Sequence, residues 1–440
     1  MRSLLAGAAI GVALGAVAVG MSSAAWTETR SSDPKAETYR QLDLFAEILA
    51  RAQTDYVEEI DEAEAMEAAI NGMLTSLDPH SGYLSSEDFR AIQVQTSGEY
   101  GGLGIEVTGE DGFVKVVTPM DDTPASRAGI ESGDLITAVD GRPIIGLPVN
   151  DAVKEMRGPS GSDITITILR EGEDPFDVVL TREVIQPKSV TQRIVDTDIA
   201  YIRISTFNER TTMLLENALS DAAKTIDGRP SGIILDLRNN GGGLLDQAVS
   251  VSDMFLSGGE VVSTIGRRAN DIERYNARSG EVFRGIPIVV LINNGSASAS
   301  EIVAGALQDR GRATVLGVTS FGKGSVQTVI PLGAERGAIR LTTARYYTPS
   351  GRSIQATGIE PDLEVASSRL SEEDLEKIRV YSEADLYNSL DNEDGSERRG
   401  PHLPDDQPPE GYNGEDYQLD RAIDLLRDRI TTASASPNAG

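Results

Sequence analysis

No cysteine occurs in the 440 residues, and only two histidines do, His80 and His402. The first absence removes thiol nucleophiles, thiolate metal sites and disulfides together. The second leaves too few imidazoles for a histidine-based metal cluster, and a Ser–His–Asp triad would have to recruit one of the two. His402 lies in Arg399-Gly-Pro-His-Leu-Pro, a stretch that reads as linker. His80 lies in Leu77-Asp-Pro-His-Ser-Gly-Tyr, a turn after a helix, where a structural hydrogen bond is the expectation. Basic residues are also scarce: 40 Lys and Arg face 69 Asp and Glu, a formal charge of −29. Such a chain repels phosphate backbones, which sets nucleic acid aside as a partner. Much of the excess falls after Ser371 and between Glu58 and Glu67, where solvated acidic surface accounts for it.

Long apolar runs are limited to one, residues 4–20, preceded by Arg2 and followed by the small residues Ser22-Ser-Ala-Ala. Residues 1–25 therefore read either as a cleaved signal peptide or as an anchor retained in the inner membrane. Both readings export the rest of the chain, in a bacterium to the periplasm, where ATP is not available. Hydrophobic residues make up 39% of the chain, ordinary for a globular protein with room for two or three domains.

After the apolar run, residues 37–60 and 63–77 carry apolar residues at helical spacing, of the kind that packs on a neighbour or a second subunit. Residues 100–184 read as a small β domain. Gly112 closes a hairpin turn there, Ile164 to Arg170 alternates as a half-buried strand should, and residues 150–157 form a helix capped by Asn150. From residue 199 to about 365, strands at 199–204, 232–237, 288–292 and 314–316 alternate with helices at 213–225, 244–256 and 299–310, the α/β pattern. Beyond Ser371 the acidic, Pro-rich chain is expected to be flexible except for a short amphipathic helix at 417–427 that could dock back.

Four segments could carry chemistry. The apolar run 288–292 feeds Asn293-Asn-Gly-Ser-Ala-Ser-Ala-Ser-Glu and then a helix. A serine at a helix N-terminus lies beside unpaired N–H groups that stabilise negative charge, as an acyl-transfer nucleophile requires. Ser296, Ser298 and Ser300 could equally act only as caps. Next, Gly317 to Lys323 fits the first seven positions of a P-loop, but Gly324 stands where a Ser or Thr should hold magnesium. Ser320-Phe-Gly-Lys also fits S-x-x-K, without the companion S-D-N or K-T-G.

A third reading makes Lys323 the general base for a serine elsewhere. Its pKa must then fall from about 10.4 toward neutrality, which burial near Phe321 and Val326 can achieve. Gln327, four residues on, is placed to hydrogen-bond the amine. In Leu235-Asp-Leu-Arg-Asn-Asn-Gly-Gly-Gly, a buried strand meets the glycines at 241–243 without G-x-G-x-x-G spacing. Its freed N–H groups suit an oxyanion hole or a plain structural turn. Finally, Gly102, Leu103, Gly104 and Ile105 precede a strand and expose consecutive N–H groups, which suits capture of a peptide carboxylate.

Taken in this order, the segments resemble the carboxyl-terminal processing peptidases, or tail-specific proteases, over roughly residues 39–365. The motifs that carry the likeness are Leu77-Asp-Pro-His-Ser-Gly-Tyr-Leu, G-L-G-I, Leu235-Asp-Leu-Arg-Asn-Asn-Gly-Gly-Gly, Ser296-Ala-Ser-Ala-Ser-Glu-Ile and Phe321-Gly-Lys-Gly-Ser-Val-Gln. The resemblance implies an α/β multidomain fold: an N-terminal helical region (36–97), a PDZ domain (98–184), a crotonase-like Ser–Lys peptidase domain (190–370) and an acidic tail (371–440). It implies Ser298 as nucleophile, Lys323 as general base and Gln327 as its assistant. Oxyanion donors would be the N–H of Ala299 and of Gly242 or Gly243, and Arg157 would couple the PDZ domain to the catalytic side. No metal or organic cofactor is implied. Partners would be proteins with accessible C-termini, a second copy of the chain and a regulatory or adaptor protein. Two rival readings are a non-catalytic PDZ adaptor and an ATP-using enzyme.

Overall fold

The two apolar runs Gly232–Asp236 and Ile288–Ile292 stand side by side at the centre of a six-stranded sheet in the computed structural model of the chain. The structure describes residues 34–435 apart from 111, 269, 279, 334–335, 372, 374–380 and 401. The apolar run expected to be signal or anchor lies outside these. Among the described residues no helix is long and apolar enough to cross a membrane.

The strand order of the central sheet is Val190–Val195, Ile199–Ile204, Gly232–Asp236, Ile288–Ile292, Thr314–Gly317 and Leu363–Glu364. Only the first pair is antiparallel. Parallel strands are covered on both faces, which is why these segments read as continuous apolar runs without alternation. One face is covered by helices Thr211–Ile226, Leu245–Phe255 and Ala299–Asp309, the other by helix Tyr417–Ala435 through Leu419, Ala422 and Leu426. Each fully buried Ile or Leu in these layers contributes about 1.5–3 kcal/mol. The strands therefore hold the loops at their C-terminal ends firmly, and those loops carry the site.

A second sheet flanks the first. Its long strand Ala338–Tyr347 pairs with Gly82–Leu84, Gly259–Gly266 and Ser325–Pro331, all antiparallel. Residues 105–181 form the separate β domain, with strands Ile105–Glu110, Phe113–Pro119, Leu135–Val139, Asp163–Leu169 and Phe176–Thr181 in antiparallel order around their own core. Helix Val149–Met156 packs beside the first of them. It begins after Pro148 with no side-chain cap, so the capping expected of Asn150 is not used. Tyr100–Gly102 pairs with Glu183–Ile185 at the domain's root.

By its contacts the chain divides into Met1–Met66 and Glu67–Gly440. The described part of the first unit is helix Pro34–Asp55 and the start of helix Glu62–Thr75, and Leu42, Leu44 and Ile48 on the former are exposed.

The acidic tail departs from expectation only ahead of its terminal helix, whose amphipathic pattern allowed it to dock back. Ser382, Glu383 and Gln418 are buried, and helix Tyr417–Ala435 docks on the central sheet. Polar anchors add to the apolar contacts of Leu419, Ala422 and Leu426. Gln418 donates to the carbonyl of Val365, and Arg238 donates to Asp416 and Gln418. Hydrogen bonding of this kind holds a segment that has few apolar residues to bury.

Candidate active site

Strand Ile288–Ile292 delivers Ser296, Ser298 and Ser300 to one turn, and the structure gives them different work. The hydroxyl of Ser296 donates to the Leu237 carbonyl and that of Ser300 to the Asn240 carbonyl, both at 2.8 Å and both fully buried. These two stitch the turn to the glycine loop. Ser298 caps the following helix with φ 55° and ψ −113°, a conformation rarely adopted by residues other than glycine. Such backbone strain costs about 1–3 kcal/mol and persists only when the surroundings hold it. It turns the serine out of the strand–helix corner, as a nucleophile requires.

Glu301 supplies the hold. This fully buried carboxylate accepts from the N–H of Ser298 at 2.7 Å and from the N–H of Lys323 at 3.0 Å, both on Oε2. Its Oε1 accepts from the Ser320 hydroxyl at 2.6 Å and the Gly322 N–H at 2.7 Å. Burial pushes its pKa up to about 7, against the four donors that favour the charged form. One carboxylate oxygen thus ties the strained serine to the lysine.

Lys323 sits in a loop leading into strand Ser325–Pro331, not into a helix. A P-loop lysine would precede a helix, so that reading fails on topology as well as on Gly324. Burial holds the Lys323 amine below the usual lysine range, opposed by the charges of Glu383, Glu301 and Asp78 and assisted by Arg340. The loop is fixed on both sides of the lysine: Gly322 bonds Glu301, and the Gly324 N–H donates to Gln355 at 3.0 Å. Gln327 is elsewhere engaged. Its amide donates to the Ser325 and Thr342 hydroxyls at 3.0 and 3.2 Å, and Thr342 leads on to Asp78. It reaches the lysine's surroundings through Asp78 and makes no hydrogen bond to Lys323 itself.

The glycine run lies against the serine. A Cβ on Gly242 would meet Ser298 Cβ at 2.8 Å and the Ala299 nitrogen at 3.0 Å, so only glycine allows this approach. The Gly242 N–H is committed to Asn240 Oδ1 at 2.9 Å. Among the described residues the N–H groups of Gly243 and Ala299 have no hydrogen-bond acceptor. Of the donors expected at an oxyanion, these two are the ones left open.

Sequence reading missed two further groups. Tyr346, on strand Ala338–Tyr347, is buried beside Ser298, and burial keeps it neutral by raising its pKa. Arg398 donates to the carbonyls of Ser320 and Phe321 at 2.6 and 3.1 Å. No motif flagged either. The run Arg345-Tyr-Tyr-Thr-Pro-Ser-Gly was the available signal for the tyrosine.

The β domain offers a groove lined by Gly102, Leu103, Gly104, Ile105, Val153 and Met156, between the edge strand Ile105–Glu110 and helix Val149–Met156. Gly104 turns at φ 74°, with its carbonyl accepting from the N–H of Met120. Arg157 closes the groove at one end, its guanidinium 4.5 Å above the Tyr100 ring. The same two side chains border a second cleft of about 620 Å³ that runs past helix Ser86–Ser97 to Ser205, Asn208 and Arg340. Ser298 and Lys323 do not line it. His80 and His402 each face a carboxylate, Glu383 and Glu364. Among the described residues no cluster of side chains could hold a metal ion.

Three family models match the chain: Peptidase family S41 over residues 198–365, PDZ domain over 91–169, and the activating protease CtpB N-terminal domain over 6–88. A carboxy-terminal-processing protease of Bartonella bacilliformis is 49% identical over 409 residues, 91% of this chain and 92% of that one. The carboxy-terminal processing protease CtpA of Bacillus subtilis is 34% identical over 313 residues, 71% of this chain and 66% of that one. A solved photosystem II D1 C-terminal processing protease shares 30% identity, with TM-score 0.44, over 74% of this chain and 91% of that one.

Proposed function

The chain belongs to the carboxy-terminal processing proteases of peptidase family S41, with a PDZ domain, and on that premise we propose that Ser298 and Lys323 are its catalytic pair. The observation that carries the assignment is the shared carboxylate of Glu301, which fixes the strained backbone of the one and the loop of the other.

Neutral Lys323 takes the proton of Ser298 Oγ as that oxygen attacks the substrate carbonyl carbon. Ala299 and Gly243 direct their open N–H groups at the oxyanion that forms, where preorganised donors lower the barrier most. As the tetrahedral intermediate collapses, the ammonium of Lys323 gives its proton to the departing amine, leaving an ester on Ser298. Water then loses a proton to the neutral Lys323 amine as it attacks the ester carbonyl, and the ammonium returns that proton to the Ser298 oxygen as it leaves. Burial of the lysine lowers its pKa and so favours the neutral form that a base needs.

Protein substrates follow from the family. Capture of their C-termini is assigned to the groove at Gly102–Ile105, with the incoming segment added as a strand along Ile105–Glu110. Arg157, which borders both the groove and the larger cleft, is assigned the link between occupancy and catalysis. Export with residues 1–25 as signal or anchor, self-association and an adaptor complete the proposal.

The test is degradation of an unfolded reporter with an apolar C-terminus by wild type, Ser298→Ala and Lys323→Ala, each checked for folding by circular dichroism. Cleavage by wild type alone, with fluorophosphonate labelling lost in Ser298→Ala, supports the pair. Full-rate cleavage by Lys323→Ala sinks the mechanism. An inert wild type that still binds the reporter's C-terminal peptide supports the adaptor reading.

A further inference from the structure

Part of the contact around the lysine loop comes from chain that lies outside the matched peptidase region. Ser382 and Glu383 are buried under the loop, and the N–H of Glu383 donates to the carbonyl of Phe321 at 3.1 Å. The Glu383 carboxylate lies 2.8 and 2.9 Å from His80 Nε2 and accepts from Gln355 Nε2 at 3.1 Å. Gln355 in turn holds the N–H of Gly324, next to the lysine. The carbonyl of His80 accepts from Arg340 Nε at 2.8 Å. A buried carboxylate is costly unless charge or hydrogen bonds compensate it. The same carboxylate is among the charges that act on Lys323.

We propose that Glu383 is a positioning residue for Lys323: through its backbone and Gln355 it pins the loop, and with its carboxylate it holds the ammonium formed when Ser298 is deprotonated. The proposal rests on the reading of Lys323 as base. The charged groups that act on the lysine are Glu383, Arg340, Glu301 and Asp78, with His80 paired to Glu383. Glu383 leads the negative charges that oppose desolvation of the lysine. Its carboxylate therefore raises the lysine's basicity against desolvation. Too little of that support leaves an amine too weak to take the serine's proton, and too much leaves it protonated at neutral pH.

The experiment uses the full chain and the same reporter, with kcat and KM followed from pH 5 to 9 for wild type, Glu383→Gln, Glu383→Asp and Arg340→Gln. Removing the negative charge in Glu383→Gln should move the acidic limb of kcat/KM to lower pH by roughly half a unit or more, with KM within about twofold. Arg340→Gln should move it to higher pH, and Glu383→Asp should leave it in place. Limbs that superimpose on wild type with only reduced amplitude would mean that the carboxylate is structural and overturn the proposal. If Glu383→Gln does not fold, Arg340→Gln decides, and an unmoved limb overturns it. An active Lys323→Ala sinks the base assignment itself, whereas an inactive Lys323→Ala with unmoved limbs sinks only the role of Glu383.

Discussion

Replacing Glu301 by Gln separates what holds this site from what holds the fold. The amide keeps one carbonyl oxygen and puts an NH2 where the other stood. Either the pair Ser298 N–H and Lys323 N–H or the pair Ser320 Oγ–H and Gly322 N–H then faces a donor. Two buried donors left without acceptors cost about 2–6 kcal/mol. Against this stands the burial of the charge. The folded pKa is raised from 4.5 to about 7, so the fold prefers the protonated acid. That preference is complete below the unfolded pKa and is lost as pH rises through about 7. Holding the carboxylate ionised above that point costs about 3 kcal/mol, a cost a glutamine does not carry. The two effects nearly cancel, and Glu301→Gln should unfold within about 2 kcal/mol of wild type at pH 7.5. Its activity should not survive, because a nucleophile displaced by about 1 Å loses on the order of 100-fold. Urea unfolding alongside reporter cleavage reads both quantities. Activity within a few-fold of wild type, or a loss of activity no larger than the loss of folded protein, would refute the reasoning.

Three further outcomes follow from contacts already described. Gly242→Ala should lose stability measurably and, per folded molecule, cleave at least tenfold more slowly, since at φ 101° its methyl meets Ser298 Cβ and the Ala297 carbonyl at 2.8 Å; unchanged kcat would contradict this. Arg398→Ala frees the carbonyls of Ser320 and Phe321, and kcat should fall while fluorescence anisotropy shows C-terminal peptide binding unaltered. Val153→Asp places a charge in the groove between helix and edge strand. It should weaken peptide binding by at least tenfold while leaving fluorophosphonate labelling of Ser298 intact.

Much of the fold was legible because its signals are local. The strands at 199–204 and 288–292 were read with their true bounds, since burial on both faces leaves an unbroken apolar run. Ser298 and Lys323 were reached because each sits in a short glycine- and serine-rich motif where strand meets loop. What escaped reading acts across long separations. Glu383 and Arg398 come from a segment whose composition resembles solvated linker, and only their hydrogen bonds to the lysine loop show otherwise. Tyr346 looks like any β-strand tyrosine until pairing brings it to the serine. Gln327 lies one strand turn from the lysine in sequence, yet the register of Ser325–Pro331 against Ala338–Tyr347 points it to Thr342 instead.

The docked tail also sets an order in time. Translation produces Ser298 and Lys323 well before Glu383 and Arg398. A chain still being made can therefore hold both proposed reacting groups while the supports of the lysine loop have yet to be synthesised. On the proposed assignment, proteolytic competence should arrive only once Glu383 and Arg398 have been made.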